Sequence, residues 1–234
     1  MQLIEVSDLW VRSATIWLQR RDTPMRFVLF PMLHLGAPSF YNELTRRLHD
    51  CDLVVAEGIR GRSPPASALT LTYRLFGNAN RDGLVVQDID YDSLGVSVIR
   101  PDMRASEFNA SWRRVPPLHR LGVWALLPVY ALWMRFFGSR EVVARHAEVD
   151  DLPSREDVEI ADNEIAAPIN KLVMDDRDAL LLKALERIHE ERCAETIQVA
   201  IVYSAKHMPA VVHHLSRQFG YWARDADWMI VFER

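Results

Sequence analysis

Four short apolar runs in this sequence each lead into an ionisable residue. RFVLF (26–30) leads to His34, DLVVA (52–56) to Glu57, LVVQ (84–87) to Asp88 and Asp90, and QVAIVY (198–203) to His207. Imidazoles and carboxylates are the side chains that move protons and hold a ligand's polar atoms near neutral pH. Ligands of parallel α/β sheets bind beyond the carboxyl ends of the strands, where loops open and helix N-termini add partial positive charge. Strands lie ~4.8 Å apart, so groups that end adjacent strands can share one target. The spacing therefore predicts one polar site at a single sheet edge. His34 and Glu57 flank one strand–helix–strand unit and are expected as neighbours; His207 joins them if the late strand inserts beside the early ones. Taken singly, each group has a plainer role, as a capping histidine, a Glu57 paired with Arg60, or turn-forming aspartates. Their joint occurrence is what points to a site.

The elements that must position these groups can be read from the pattern. SATIWLQ (13–19) and RFVLF, joined by RRDTPM, predict an antiparallel hairpin. Pro38 and Ser39 start a helix with Phe40, Leu44 and Leu48 on one face. DLVVAEG (52–58) then completes a βαβ unit. LVVQ is expected as a further strand, and residues from about 97 to 150 as mainly helical. Residues 149–169 read as an acidic, proline-punctuated connector. DDRDALLLKALERIHEERCAE (175–195) has leucines at helical period, acids first and bases last. PAVVHHLSRQFG (209–220) is a helix closed by glycine, and WMIVFE (228–233) a last strand. The expected fold is α/β: a mainly parallel central sheet flanked by helices, with an N-terminal antiparallel hairpin. One domain over 1–234 is expected, with a helical insertion at about 97–170.

Composition narrows the partners. The 234 residues carry a net charge of −4, which argues against nucleic acid, whose binding shows as a basic excess. Lys171, Lys183 and Lys206 are the only lysines, so Schiff-base chemistry has few candidates. Cys51 and Cys193 stand alone, as in a reducing compartment, and the first residues lack the pattern of a signal peptide. A cytoplasmic protein is expected. The segment from Arg113 to Arg140 adds a membrane-associated alternative. Its run from Leu121 to Met134 is almost uncharged, is interrupted by Pro128, and falls short of the ~20 residues of a spanning helix. It reads as a packed helix or homodimer contact, or as a peripheral membrane contact rich in Trp and Tyr.

In order along the chain stand PMLH (31–34), VVAEGIRGR (54–62), DDRDALLLKAL (175–185) and SAKHMPAVV (204–212). This series resembles the TraB/PrgY/Tiki superfamily, related in fold to erythromycin-esterase and ChaN-like proteins. The resemblance covers roughly residues 24 to 234; Pro31 and Ser204 stand where the family pattern has glycine. Resemblance to Tiki-type proteins implies a metal-dependent peptidase with His34, Glu57 and His207 holding a divalent transition metal (Mn, Co or Zn). Such a donor set leaves a position for water, whose pKa the metal lowers. Resemblance to erythromycin esterases implies a metal-free hydrolase, in which His34 activates water and Glu57 is its partner. In the metal scheme Asp88 or Asp90 would shuttle a proton; in the metal-free scheme Glu57 is the partner of His34 or the second acid. Arg60, Arg62 and Arg177 would stabilise an oxyanion or clamp the carboxylate of a small-molecule or peptide substrate. Resemblance to ChaN-like members implies instead a non-enzymatic binder, with His34, His207 or Tyr203 serving a haem. TraB/PrgY-like members imply a regulator of peptide signals.

Overall fold

Strands β1 (Gln2–Val6), β2 (Trp10–Gln19) and β3 (Arg26–Met32) open the chain, followed by the two-residue β4 (Leu35–Gly36) and helix α1 (Pro38–Leu48). Next come β5 (Leu53–Ala56), α2 (Pro64–Leu69), β6 (Val85–Val86) and β7 (Ser97–Ile99). The helices α3 (Ala105–Arg114), α4 (Pro117–Phe137) and α5 (Arg140–Arg145) precede β8 (Val149–Asp150). The last third holds α6 (Ala167–Asn170), α7 (Asp176–Arg192), β9 (Gln198–Ser204), α8 (Met208–Phe219) and β10 (Trp222–Glu233). This computed structural model describes residues 1–70, 73–75, 83–145, 147–151 and 167–234. Most of the expected acidic connector, 152–166, lies outside them.

The described strands form an eight-stranded sheet in the order β7-β5-β9-β3-β2-β1-β8, with β10 also paired to β2. From β7 to β3 all neighbours are parallel, and β2 and β3 form the antiparallel hairpin, with Ile16 opposite Leu29. The fold is α/β with a mainly parallel centre. Alternation along the strands builds its two layers. Val28, Phe30, Val54, Ala200 and Val202 pack with Phe40, Leu44 and Leu48 of α1. Phe27, Leu29, Val55, Val199 and Ile201 pack on the other face with Leu181 and Leu185 of α7 and Val211 and Leu215 of α8. Both faces are covered, which is why these strands read as unbroken apolar runs. The β2–β3 ladder ends at Leu29, so Pro31, which has no N–H to offer, follows the last paired position on that side.

Three elements depart from the sequence reading. LVVQ does not join the central sheet; β6 pairs antiparallel with β4 in a separate two-stranded ribbon. The stretch read as helical from 97 begins with β7, an edge strand parallel to β5. The last strand starts at Trp222 rather than near 228 and runs along the whole of β2.

Candidate functional site

β9 lies between β3 and β5. Met32 is in register with Ser204, and Ala56 with Val202, so the three strands end together at one rim. His34 and Glu57 are thus not on adjacent strands, as the βαβ unit alone suggested; the late strand separates them and brings its own turn between. The Glu57 N–H continues the ladder to the Val202 carbonyl at 3.0 Å, and its side-chain Oε2 accepts from the Ser204 N–H at 2.6 Å. Beyond Ser204 one 3-10 turn, Ala205–His207, carries His207 back over the strand end, where it is 2% exposed.

α7 supplies the counter-charge. A π-helical turn over Lys171–Asp175 leads into it, and Arg177 and Asp178 fall in its first turn. Arg177 Nη2 donates to Glu57 Oε1 at 2.6 Å, and Nε and Nη2 grip Asp102 at 2.9 and 2.5 Å. Asp102 follows β7, the fourth parallel strand, and also accepts from the N–H groups of Gly58 and Met103 at 3.0 and 2.8 Å. Gly58, immediately after Glu57, has φ of +150°, a conformation that favours glycine. A fork geometry with every oxygen satisfied is the arrangement that makes burying such charges tolerable.

His207 lies between two carboxylates. Its Nδ1 is 2.6 Å from Asp178 Oδ1 and its Nε2 is 3.7 Å from Glu57 Oε1. His34 is half-buried at the same rim, and its ring packs on Tyr73 with centroids 4.9 Å apart. Burial alone would raise the Glu57 carboxyl; Arg177, then His207 and His34, and the Ser204 N–H outweigh it and hold the group below the usual 4.5. Both imidazoles therefore lie within electrostatic reach of one carboxylate. Tyr73 feels the same anion: burial, then Tyr130 of α4 and Glu57, raise its phenol above the ordinary range. For Arg177, burial works against the charge, but Asp102 and Glu57 overcome it and the guanidinium is held more firmly protonated.

The other residues singled out from sequence lie differently. Asp88 is exposed on the chain after the β4–β6 ribbon, and Asp90 caps the 3-10 turn Tyr91–Leu94 by accepting from the Asp92 and Ser93 N–H groups. Neither ends a strand of the central sheet, because LVVQ left it. Arg60 and Arg62 are exposed on the loop beyond Glu57. Arg177 is enclosed, and its donors are engaged by Asp102, Glu57 and the Val173 carbonyl, so it holds Glu57 rather than a substrate. Tyr203 is 1% exposed; its ring stands edge-on to His207, and its hydroxyl has no partner among the described residues. Sequence reasoning missed Asp102 and Asp178 as site residues. The Val-Ser-Val-Ile run before Asp102 was a strand signal passed over, and Asp178 is the second half of the Arg-Asp pair that opens α7.

His34, Glu57 and His207 are the donor types that suit a divalent transition metal. In this arrangement, however, both Glu57 oxygens already accept at 2.6 Å, one of them from a guanidinium. Among the described residues no group of three His, Cys, Asp or Glu side chains is placed to hold a metal ion. The residues as arranged do not fit a resident cation. His207 is not open to a haem, since it is enclosed and both its ring nitrogens face carboxylates. Comparison of the chain with protein-family models, curated proteins and solved structures finds no match.

Proposed function

We propose that the chain is a hydrolase of small-molecule or peptide carbonyl substrates, working through water activated by His34 and Glu57 without a resident metal. The observation that carries this reading is the fixed carboxylate. Glu57 is held by Arg177 and the Ser204 N–H, kept ionised, and lies within electrostatic reach of His207 and the half-buried His34. A carboxylate so immobilised need not reorganise during reaction, which is the condition for electrostatic catalysis.

In this scheme water lies between His34 and Glu57. As its oxygen bonds to the substrate carbonyl carbon, His34 accepts its proton, and that proton is returned to the leaving group as the acyl bond breaks. Glu57 orients the water and balances the charge that forms on the imidazole. His207 is a positioning residue, itself oriented by Asp178. Arg60 and Arg62, exposed on the loop that follows Glu57, would meet a substrate carboxylate. The resemblance of PMLH, VVAEGIR, DDRD and SAKHMP to the TraB/PrgY/Tiki superfamily supports the same three residues.

The test is hydrolysis of a panel of activated esters and fluorogenic peptides, with metal content measured on the same preparation. Turnover that survives a chelator and falls in Glu57→Gln is the expected result. A stoichiometric transition metal whose removal abolishes turnover would overturn the metal-free scheme.

A further inference from the structure

From Leu121 to Met134 α4 is uncharged on every side yet lies on the surface. Its inward stripe is slight, with only Ala131 and Met134 buried. The outward face shows Leu118, Leu121, Leu126, Val129, Phe136 and Phe137 at 62–77% exposure, with Trp124, Tyr130 and Trp133 beside them at 43–49%. Isolated exposed apolar side chains are ordinary, but a continuous helical face of them is not. A helix hydrophobic on every side belongs in a core or against lipid.

Charge identifies the cover. From Phe108 to Arg140 the sequence contains no Asp or Glu, and it carries Arg113, Arg114, Arg120, Arg135 and Arg140, in a chain whose net charge is −4. The arginines bracket the apolar run. Exposed Trp and Tyr are the residues that settle at headgroup level. No helix among the described residues is long and apolar enough to cross a membrane. From this we infer that α4 docks the protein flat on an anionic membrane surface, its Leu, Val and Phe side chains entering the acyl boundary and its flanking arginines meeting lipid phosphates.

The experiment is co-sedimentation of the full chain with vesicles of phosphatidylcholine alone and of phosphatidylcholine mixed with phosphatidylglycerol. Binding to the mixed vesicles is expected, weakening with added salt. Leu126→Glu combined with Phe137→Glu should abolish it, and both sites are exposed, so the circular dichroism should be unchanged. Replacing Arg113 and Arg114 by Gln should weaken it about fivefold per charge. Three results would overturn the inference: protein left in the supernatant with both vesicle types, equal binding to both, or vesicle binding intact in the double-Glu variant. Sedimentation equilibrium showing a dimer that the double-Glu variant splits, without vesicle binding, would assign the face to a second copy of the chain instead.

Discussion

Asp178 and His207 are joined by a 2.6 Å contact between Oδ1 and Nδ1, from the first turn of α7 to the turn that follows β9. The pair ties a helix on one face of the sheet to the rim where Glu57 ends β5, and it directs the other ring nitrogen at that carboxylate. Asp178→Ala should loosen His207 and cost about 1–3 kcal/mol, the range for a buried polar group that loses its partner. Asp178→Asn keeps an acceptor oxygen and should restore most of that stability in urea unfolding. Equal stability of Asp178→Ala and the wild type would show that the contact does not organise the rim.

One guanidinium, that of Arg177, grips two enclosed carboxylates, Glu57 and Asp102. Truncating one partner of a buried ion pair leaves the other charge uncompensated, at a cost of about 3–5 kcal/mol. Arg177→Leu should therefore destabilise the chain by that amount in denaturant titration, and Asp102→Asn by a smaller but clear margin. A loss below 1 kcal/mol for Arg177→Leu would mean the cluster behaves as a solvated surface pair.

The depressed Glu57 carboxyl gives a signed pH effect. A carboxylate whose folded pKa lies below its ordinary 4.5 contributes stability that is complete above that value, and the contribution is lost as pH falls toward the folded one. The wild type should lose stability on acidification below about pH 4.5 more steeply than Glu57→Gln. Parallel curves throughout the acid range would show that Glu57 is not held ionised by Arg177 and the imidazoles.

Tyr203 offers a sharper separation of fold from function. Its hydroxyl makes no hydrogen bond among the described residues, so Tyr203→Phe removes no contact there and should leave the thermal midpoint within the small change expected of an isosteric exchange. A drop comparable to losing a buried hydrogen bond would reveal a partner for that oxygen. A change confined to KM would place it against the substrate.

The strands that build the site were legible because both faces are buried, which forces unbroken runs such as RFVLF and QVAIVY. His34, Glu57 and His207 were legible as candidates for the same reason, as ionisable groups within four residues of the ends of such runs. Strand order was not: nothing local to QVAIVY says that it inserts between β3 and β5, since that depends on crossovers through α1 and α7. The ribbon of β4 and β6 was misread because two-residue pairings leave no period, and Asp88 and Asp90 were carried into the site with it. β7 was lost in a segment dominated by helix signals, and Asp102 with it. Arg177 was found, but its role was not, because only the fold shows that its donors are taken up by Asp102 and Glu57.

The most direct test of the account is the turnover of a responsive ester or peptide by His34→Ala, compared with the wild type across neutral pH. The account predicts wild-type hydrolysis of at least one substrate class and a loss of about 10²–10⁴-fold in His34→Ala, with the fold intact and no dependence on added metal. Full activity in His34→Ala, or no hydrolysis of any ester or peptide by the wild type, would contradict it.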